Sequence, residues 1–139
     1  MNPFDALSPE DFISQGDVFL MEHEDVDGTH YMVVLNVSPE SSEVIVLGVL
    51  TTKIENRRHF IRLNCRPPET LVEFSYFKPS AVDCNTVKEI EKSVLRSKIN
   101  KGQAKISKRL ETETVRKIVH GVVLGSAPQR LKNLVQNLL

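Results

Sequence analysis

The sequence predicts a mainly β chain with appended helices, an α+β antiparallel barrel followed by C-terminal helices. Short runs of β-branched and aromatic residues recur between positions 17 and 77, and Pro, Ser, Asn and Gly punctuate them. After Pro79 the apolar spacing changes from strand-like to helical. With 139 residues, 40 % hydrophobic and 26 % charged, the chain can bury a core as one domain without disulfides or a structural metal.

Each element follows from a local signal. Ser8, Pro9, Glu10 and Asp11 make a helix start, a Ser cap with Pro at the first helical position and acids in the first turn, so a short lead-in helix is expected to about Ile13. Asp17 to Met21 is apolar and bounded by acids, which predicts a first strand, and Glu22 to Gly28 then reads as a loop. Further strands are expected at Tyr31–Val37, Glu43–Leu50, His59–Leu63 and Leu71–Phe77. In the last of these Val72, Phe74 and Tyr76 alternate with Glu73 and Ser75, as in a sheet wet on one side. Short strands at this spacing suggest a small antiparallel barrel.

Val87, Ile90 and Val94 then recur at helical intervals beside a stripe of Lys88, Lys92 and Arg96, predicting an amphipathic helix over Thr86–Lys98 that Asn100, Lys101 and Gly102 end. A second helix is expected from about Thr112 on Val115, Ile118, Val119 and Val122. A third has Ser126 as cap, Pro128 in its first turn and Leu131, Leu134, Val135 and Leu138 as its apolar stripe.

Composition narrows the function classes. The apolar run Val44–Leu50 is broken by Gly48 and is far below the roughly 18–20 residues of a membrane span. The first residues lack the basic and apolar regions of a signal peptide, so a cytoplasmic protein with no membrane partner is expected. Cys65 and Cys84 fit no CxxC pattern and are expected as free thiols. His23, in the acidic loop, reads as a solvent residue, and the His and Cys spacing fits no zinc site, so no metal is expected. His120, between Val119 and Gly121, reads as structural. No phosphate-binding glycine loop or nucleophile-elbow string is present.

The 18 cations and 18 acids balance overall but not locally. Residues 1–52 hold ten acids and no Lys or Arg, whereas residues 53–139 hold all 18 cations and eight acids, so the two stretches carry −10 and +10. Such asymmetry marks either a polyanion-binding surface or two halves that neutralise each other within one fold.

The order of elements resembles the MazF/PemK toxin family over roughly Gly16 to Gly121. The resemblance is carried by the Gly16-Asp17-Val18-Phe19 strand, the acidic loop with Gly28, the strand Met32–Asn36, the strand ending Leu50-Thr51-Thr52, and a Lys-rich helix followed by Gly and a second helix. It implies an SH3-like barrel over 16–121, after a lead-in segment 1–15 and before a C-terminal helical extension 122–139. It also implies a homodimer acting as a metal-independent, cofactor-free endoribonuclease on RNA, paired with an antitoxin protein. The family's Arg before the Val-Val strand is replaced here by His30-Tyr31, while its catalytic Ser or Thr finds a match in Thr51 or Thr52.

RNA cleavage without a metal requires the 2′-hydroxyl deprotonated, the 5′-oxygen protonated and the charge on phosphorus stabilised. Histidine titrates near neutrality and suits either proton transfer, so His30 is the candidate acid–base in place of the missing Arg, although it cannot copy a bidentate phosphate contact. Thr51 or Thr52 would bring a hydroxyl to the phosphate; successive residues of a regular strand face opposite sides, so at most one of them is expected to face the site, and the sequence does not decide which. Lys53, Arg57, Arg58 and His59 follow in what reads as a basic loop, the candidate RNA contacts, with Arg57 or Arg58 as the cation. The competing expectation is a barrel of this family that has lost catalysis with its Arg and serves as a nucleic-acid or protein binding module. A third possibility is an interaction protein that uses its acidic N-terminal stretch.

Overall fold

The computed structural model describes residues 13–136. The expected lead-in helix at Ser8–Ile13 and Leu138 of the last apolar stripe therefore lie outside the described residues, Ile13 excepted. Seven strands and four helices follow in the order β1 (Val18–His23), β2 (Val26–Val34), β3 (Val44–Thr51), α1 (Ile54–Leu63), β4 (Leu71–Tyr76), β5 (Lys78–Asp83), β6 (Lys88–Glu91), α2 (Lys92–Asn100), β7 (Lys105–Ser107), α3 (Thr112–Leu124) and α4 (Gln129–Val135).

All strand pairs are antiparallel and form one sheet in the order β4-β5-β3-β2-β1-β7, with β6 also on β3. Alternation along the central strands sends side chains to two cores. On one face Val18, Val33, Leu35, Val46 and Val82 meet Val115, Ile118 and Val122 of α3 and Leu131 and Val135 of α4. On the other, Phe19, Met21, Met32, Val34, Ile45 and Leu47 meet Leu95 of α2. The sheet is thus covered on both faces, which is why β2 and β3 read as nearly continuous apolar runs. Its end strands approach each other without a ladder: the Tyr76 hydroxyl on β4 hydrogen-bonds Ser107 Oγ at 2.9 Å and the Lys108 carbonyl at 2.5 Å beside β7. That side chain links the two ends of the sheet, where the expected barrel would close by strand pairing.

Four sequence expectations change. The loop Glu22–Gly28 is instead a hairpin turning at Glu24-Asp25, because β2 extends into solvent with Thr29 opposite Glu22 and Val26 opposite His23, Asp27 and Gly28 forming a bulge between those pairs. The expected strand His59–Leu63 is the second half of helix α1; a short apolar run of this kind does not distinguish the two, and only Ile61 of α1 is buried. The expected helix Thr86–Lys98 begins as β6, since the backbone of residues 88–91 takes the open edge of β3 with Ile45 opposite Ile90, and becomes helical only from Lys92. Strand β5 was hidden by Pro79. Only Ala81 and Val82 pair with β3, so the stretch holding Pro79 has no third strand that needs its missing N–H.

His23 is buried rather than in solvent, its Nε2 2.8 Å from the Glu89 carbonyl and its Nδ1 accepting from the Asp25 amide at 3.1 Å. His120 lies on an exposed face of α3. The two thiols are free, Cys65 exposed and Cys84 buried. The charge halves partly interleave, as in the Arg109–Asp17 pair at 2.7 Å. Among the described residues no helix is long and apolar enough to cross a membrane.

Candidate active site

The β1–β2 hairpin, the end of β3, the first turn of α1 and the end of β5 surround an open cleft of about 620 Å³. His30, Thr51, Thr52, Lys53 and Arg57 all line it. The register explains how residues 21 positions apart meet. Met32 of β2 pairs with Val49 of β3 at the end of their ladder; His30 and Thr51 follow two residues beyond that pair, each on the side of its strand that Met32 and Val49 take, and both line the cleft. His30 is held in strand β2, half-buried, with Nε2 2.9 Å from the Asp27 carbonyl oxygen and Nδ1 3.4 Å from that of Leu50. Thr51 is half-buried and its Oγ1 accepts the Lys53 amide at 3.1 Å, which leaves its hydroxyl proton free to be donated; Thr52 is exposed.

The basic segment expected as a loop is helical from Ile54, and this separates its members. Arg57, one turn beyond Lys53 and bonded to its carbonyl through the backbone, faces the cleft. Arg58 does not line it. Its guanidinium is tied to Glu73, with Nε 3.0 Å from Oε2, and to Glu55, and the hydrogen bond from Arg58 holds the Glu73 carboxyl below the usual carboxylate range. His59 is exposed on α1 and also lies outside the cleft.

The sequence reading missed Asp83. It closes β5, its side chain is 3 % exposed, and it lines the cleft. Oδ1 accepts the Asn85 amide at 2.9 Å and Asn85 Nδ2 at 3.2 Å, while Oδ2 has no hydrogen-bond partner and faces Arg57 Nη1 at 3.7 Å. The only hint in the sequence is a single acid at the end of the apolar Ala81-Val82 run. Lys78 and Lys88 also line the cleft, although in the sequence one stands beside Pro79 and the other on a helical stripe. The lining cations Lys53, Arg57, Lys78 and Lys88 are balanced in part by Asp25, Asp27 and Asp83. The cleft therefore combines an imidazole, hydroxyls and cations with carboxylates, of which Asp83 faces Arg57, a set able to hold a phosphate and move protons around it.

No family model matches the chain, and no curated protein sequence matches it. Among solved structures it is similar to an endoribonuclease in complex with its cognate antitoxin from a mycobacterial species, with TM-score 0.54 and 13 % identity over 80 % of this chain and 91 % of that one. It also aligns with the Mycobacterium tuberculosis toxin MazF-mt6 at TM-score 0.47 and 11 % identity, over 76 % of this chain and 91 % of that one. The first of these likenesses bears out the fold that the sequence resemblance implied.

Proposed function

We propose that this chain is an endoribonuclease of the MazF toxin type and that the cleft is its active site. One observation carries this: the strand register and the first turn of α1 bring His30, Thr51, Lys53 and Arg57 to a single cavity. Arg57 and Lys53 hold the scissile phosphate and stabilise the charge that builds on its oxygens. The 2′-oxygen attacks phosphorus, its proton leaves, the bond from phosphorus to the 5′-oxygen breaks, and that oxygen takes up a proton, giving a cyclic 2′,3′-phosphate and a 5′-hydroxyl. His30 carries one of the two proton transfers and water the other. Thr51, on the same face as His30, donates its hydroxyl to a phosphate oxygen; Thr52, exposed at the rim, is the alternative donor. Arg57 supplies from a helix the cation that the family places before the Val-Val strand.

The likeness to an endoribonuclease bound to its antitoxin supports a toxin–antitoxin setting with a protein antitoxin as partner. A homodimer in the cytoplasm is the corresponding working unit, and the exposed side chains of Leu63 and Ile106 offer apolar surface for pairing. The test compares purified wild type with His30→Ala and Arg57→Ala, assaying both cleavage and retention of a mixed-sequence RNA between about pH 5 and 8. Loss of cleavage with binding retained in His30→Ala supports the assignment. A wild-type protein that holds RNA without cutting it is a binding module instead.

A further inference from the structure

A single residue, Phe77, joins β4 to β5, with Tyr76 and Lys78 paired across it. It takes φ +61°, a conformation that strains a bulky side chain and persists only where its surroundings enforce it. The ring gains little burial in return, since Phe77 is 67 % exposed. It is nevertheless positioned: its centroid lies 4.9 Å from that of Tyr76 and 5.9 Å from that of Tyr31, and Lys108 Nζ stands 4.8 Å from it. The Tyr76 hydroxyl bonds to Ser107 and Lys108 lock this group to the opposite end of the sheet. Tyr31 and Lys78 belong both to this cluster and to the lining of the cleft.

From this juxtaposition we propose that Phe77 is a stacking platform for an unpaired base of single-stranded RNA, on the nucleotide flanking the one cut in the cleft, with Lys108 and Lys78 meeting its phosphates. An exposed aromatic ring beside ammonium groups, continuous with a cationic cleft, is the arrangement that reads splayed-out bases. Tyr31, next to His30 in β2, lines the cleft and also neighbours the Phe77 ring, so the platform holds the base of an adjoining nucleotide and leaves the scissile phosphate to the cleft. The assignment rests on the ribonuclease function proposed above, and it makes the platform a determinant of sequence context.

The test uses short 2′-O-methyl oligoribonucleotides, which cannot be cut because the attacking hydroxyl is blocked, carrying 2-aminopurine at each position in turn. Wild type should bind them and quench the fluorophore at one position. Phe77→Leu should weaken binding by about five- to 150-fold and abolish that quenching, while Phe77→Trp should retain both. Phe77→Gly suits the backbone conformation, so its loss of affinity with an unchanged melting temperature excludes misfolding as the cause. Lys108→Ala should lower the salt dependence of binding by about one phosphate contact. Equal affinity and equal quenching in Phe77→Leu overturn the platform while leaving the cleavage assignment intact. A change in oligomeric mass without a change in RNA affinity overturns it in favour of an interface between copies. Wild type that neither binds the oligonucleotides nor cuts RNA overturns both proposals.

Discussion

Arg57 Nη1 lies 3.7 Å from Oδ2 of Asp83, a buried carboxylate oxygen that makes no hydrogen bond. An unsatisfied buried acceptor is costly, and here it faces the cation assigned to the phosphate. The pair therefore holds a half-exposed guanidinium at the cleft by charge alone. Its separation leaves Arg57 free to swing toward a ligand without breaking a direct hydrogen bond.

Asp83→Asn tests that positioning role. The amide oxygen still accepts the Asn85 backbone N–H, so the β5 terminus is preserved, but the charge opposite Arg57 is removed. Cleavage should fall by up to about 100-fold, the scale of a small misplacement of a group at the reacting centre. The loss should appear in kcat, with RNA affinity little changed, as single-turnover kinetics and a filter-binding assay can separate. Unchanged single-turnover cleavage in Asp83→Asn would remove the positioning role.

Neighbouring arginines should behave oppositely. Arg57→Ala should abolish cleavage, whereas Arg58→Ala should leave it unchanged, because Arg58 is engaged with Glu55 and Glu73 outside the cleft and exposed ion pairs contribute little. Parallel rate measurements on the two variants decide it; comparable losses would contradict the separation imposed by the helix.

The difference between those two residues also shows where sequence ends and tertiary structure begins. Met32 to Leu35 and Ile45 to Leu47 were legible as strands because both faces are buried, and Val115, Ile118 and Val122 as a helix because their spacing matches one apolar stripe. His30, Thr51 and Arg57 were legible as chemistry. Their grouping came only through the family resemblance, since the residues alone give neither the way β2 meets β3 nor helix α1, which a short run of mixed apolar and basic residues does not distinguish from a strand. Asp83 and β6 were hidden for a related reason. Residues 88–91 have a helical pattern but are recruited by an open strand edge, and Asp83 gains its meaning only when β5 lies beside β3.

The two cysteines should differ in reactivity and in their effect on alkaline stability. Burial, with a smaller contribution from Asp83, pushes the Cys84 thiol up to about 12. A thiol reagent at mildly alkaline pH should therefore modify one cysteine in the native protein, Cys65, and both after denaturation. The unfolded chain releases the Cys84 proton near the ordinary cysteine value of about 8.5, while the folded chain keeps it. The folded pKa is the higher one, so its stabilisation is complete below about pH 8.5 and is lost as pH climbs toward 12. Denaturant midpoints measured across that window should fall more steeply for wild type than for Cys84→Ala; identical slopes would count against a buried neutral thiol.

Gly121 should be the least replaceable residue of α3. A Cβ built there would lie 2.7 Å from Cys84 Sγ and 2.9 Å from the Glu69 carbonyl oxygen, both closer than packed atoms tolerate, so the helix sits against Cys84, just after β5, and the turn before β4 only because position 121 has no side chain. Gly121→Ala gains helix propensity but must push the helix away from Ile118 and Val122's shared core, and overpacking of this kind costs about 1–3 kcal/mol. The sulfur and the carbonyl can be told apart. In a Cys84→Ala background the sulfur contact disappears and the backbone contact remains, so the penalty of Gly121→Ala should shrink without vanishing. A double-mutant cycle by urea denaturation measures this. Strict additivity of the two substitutions would show that α3 does not rest on Cys84, and a penalty abolished outright would show that the Glu69 carbonyl yields freely.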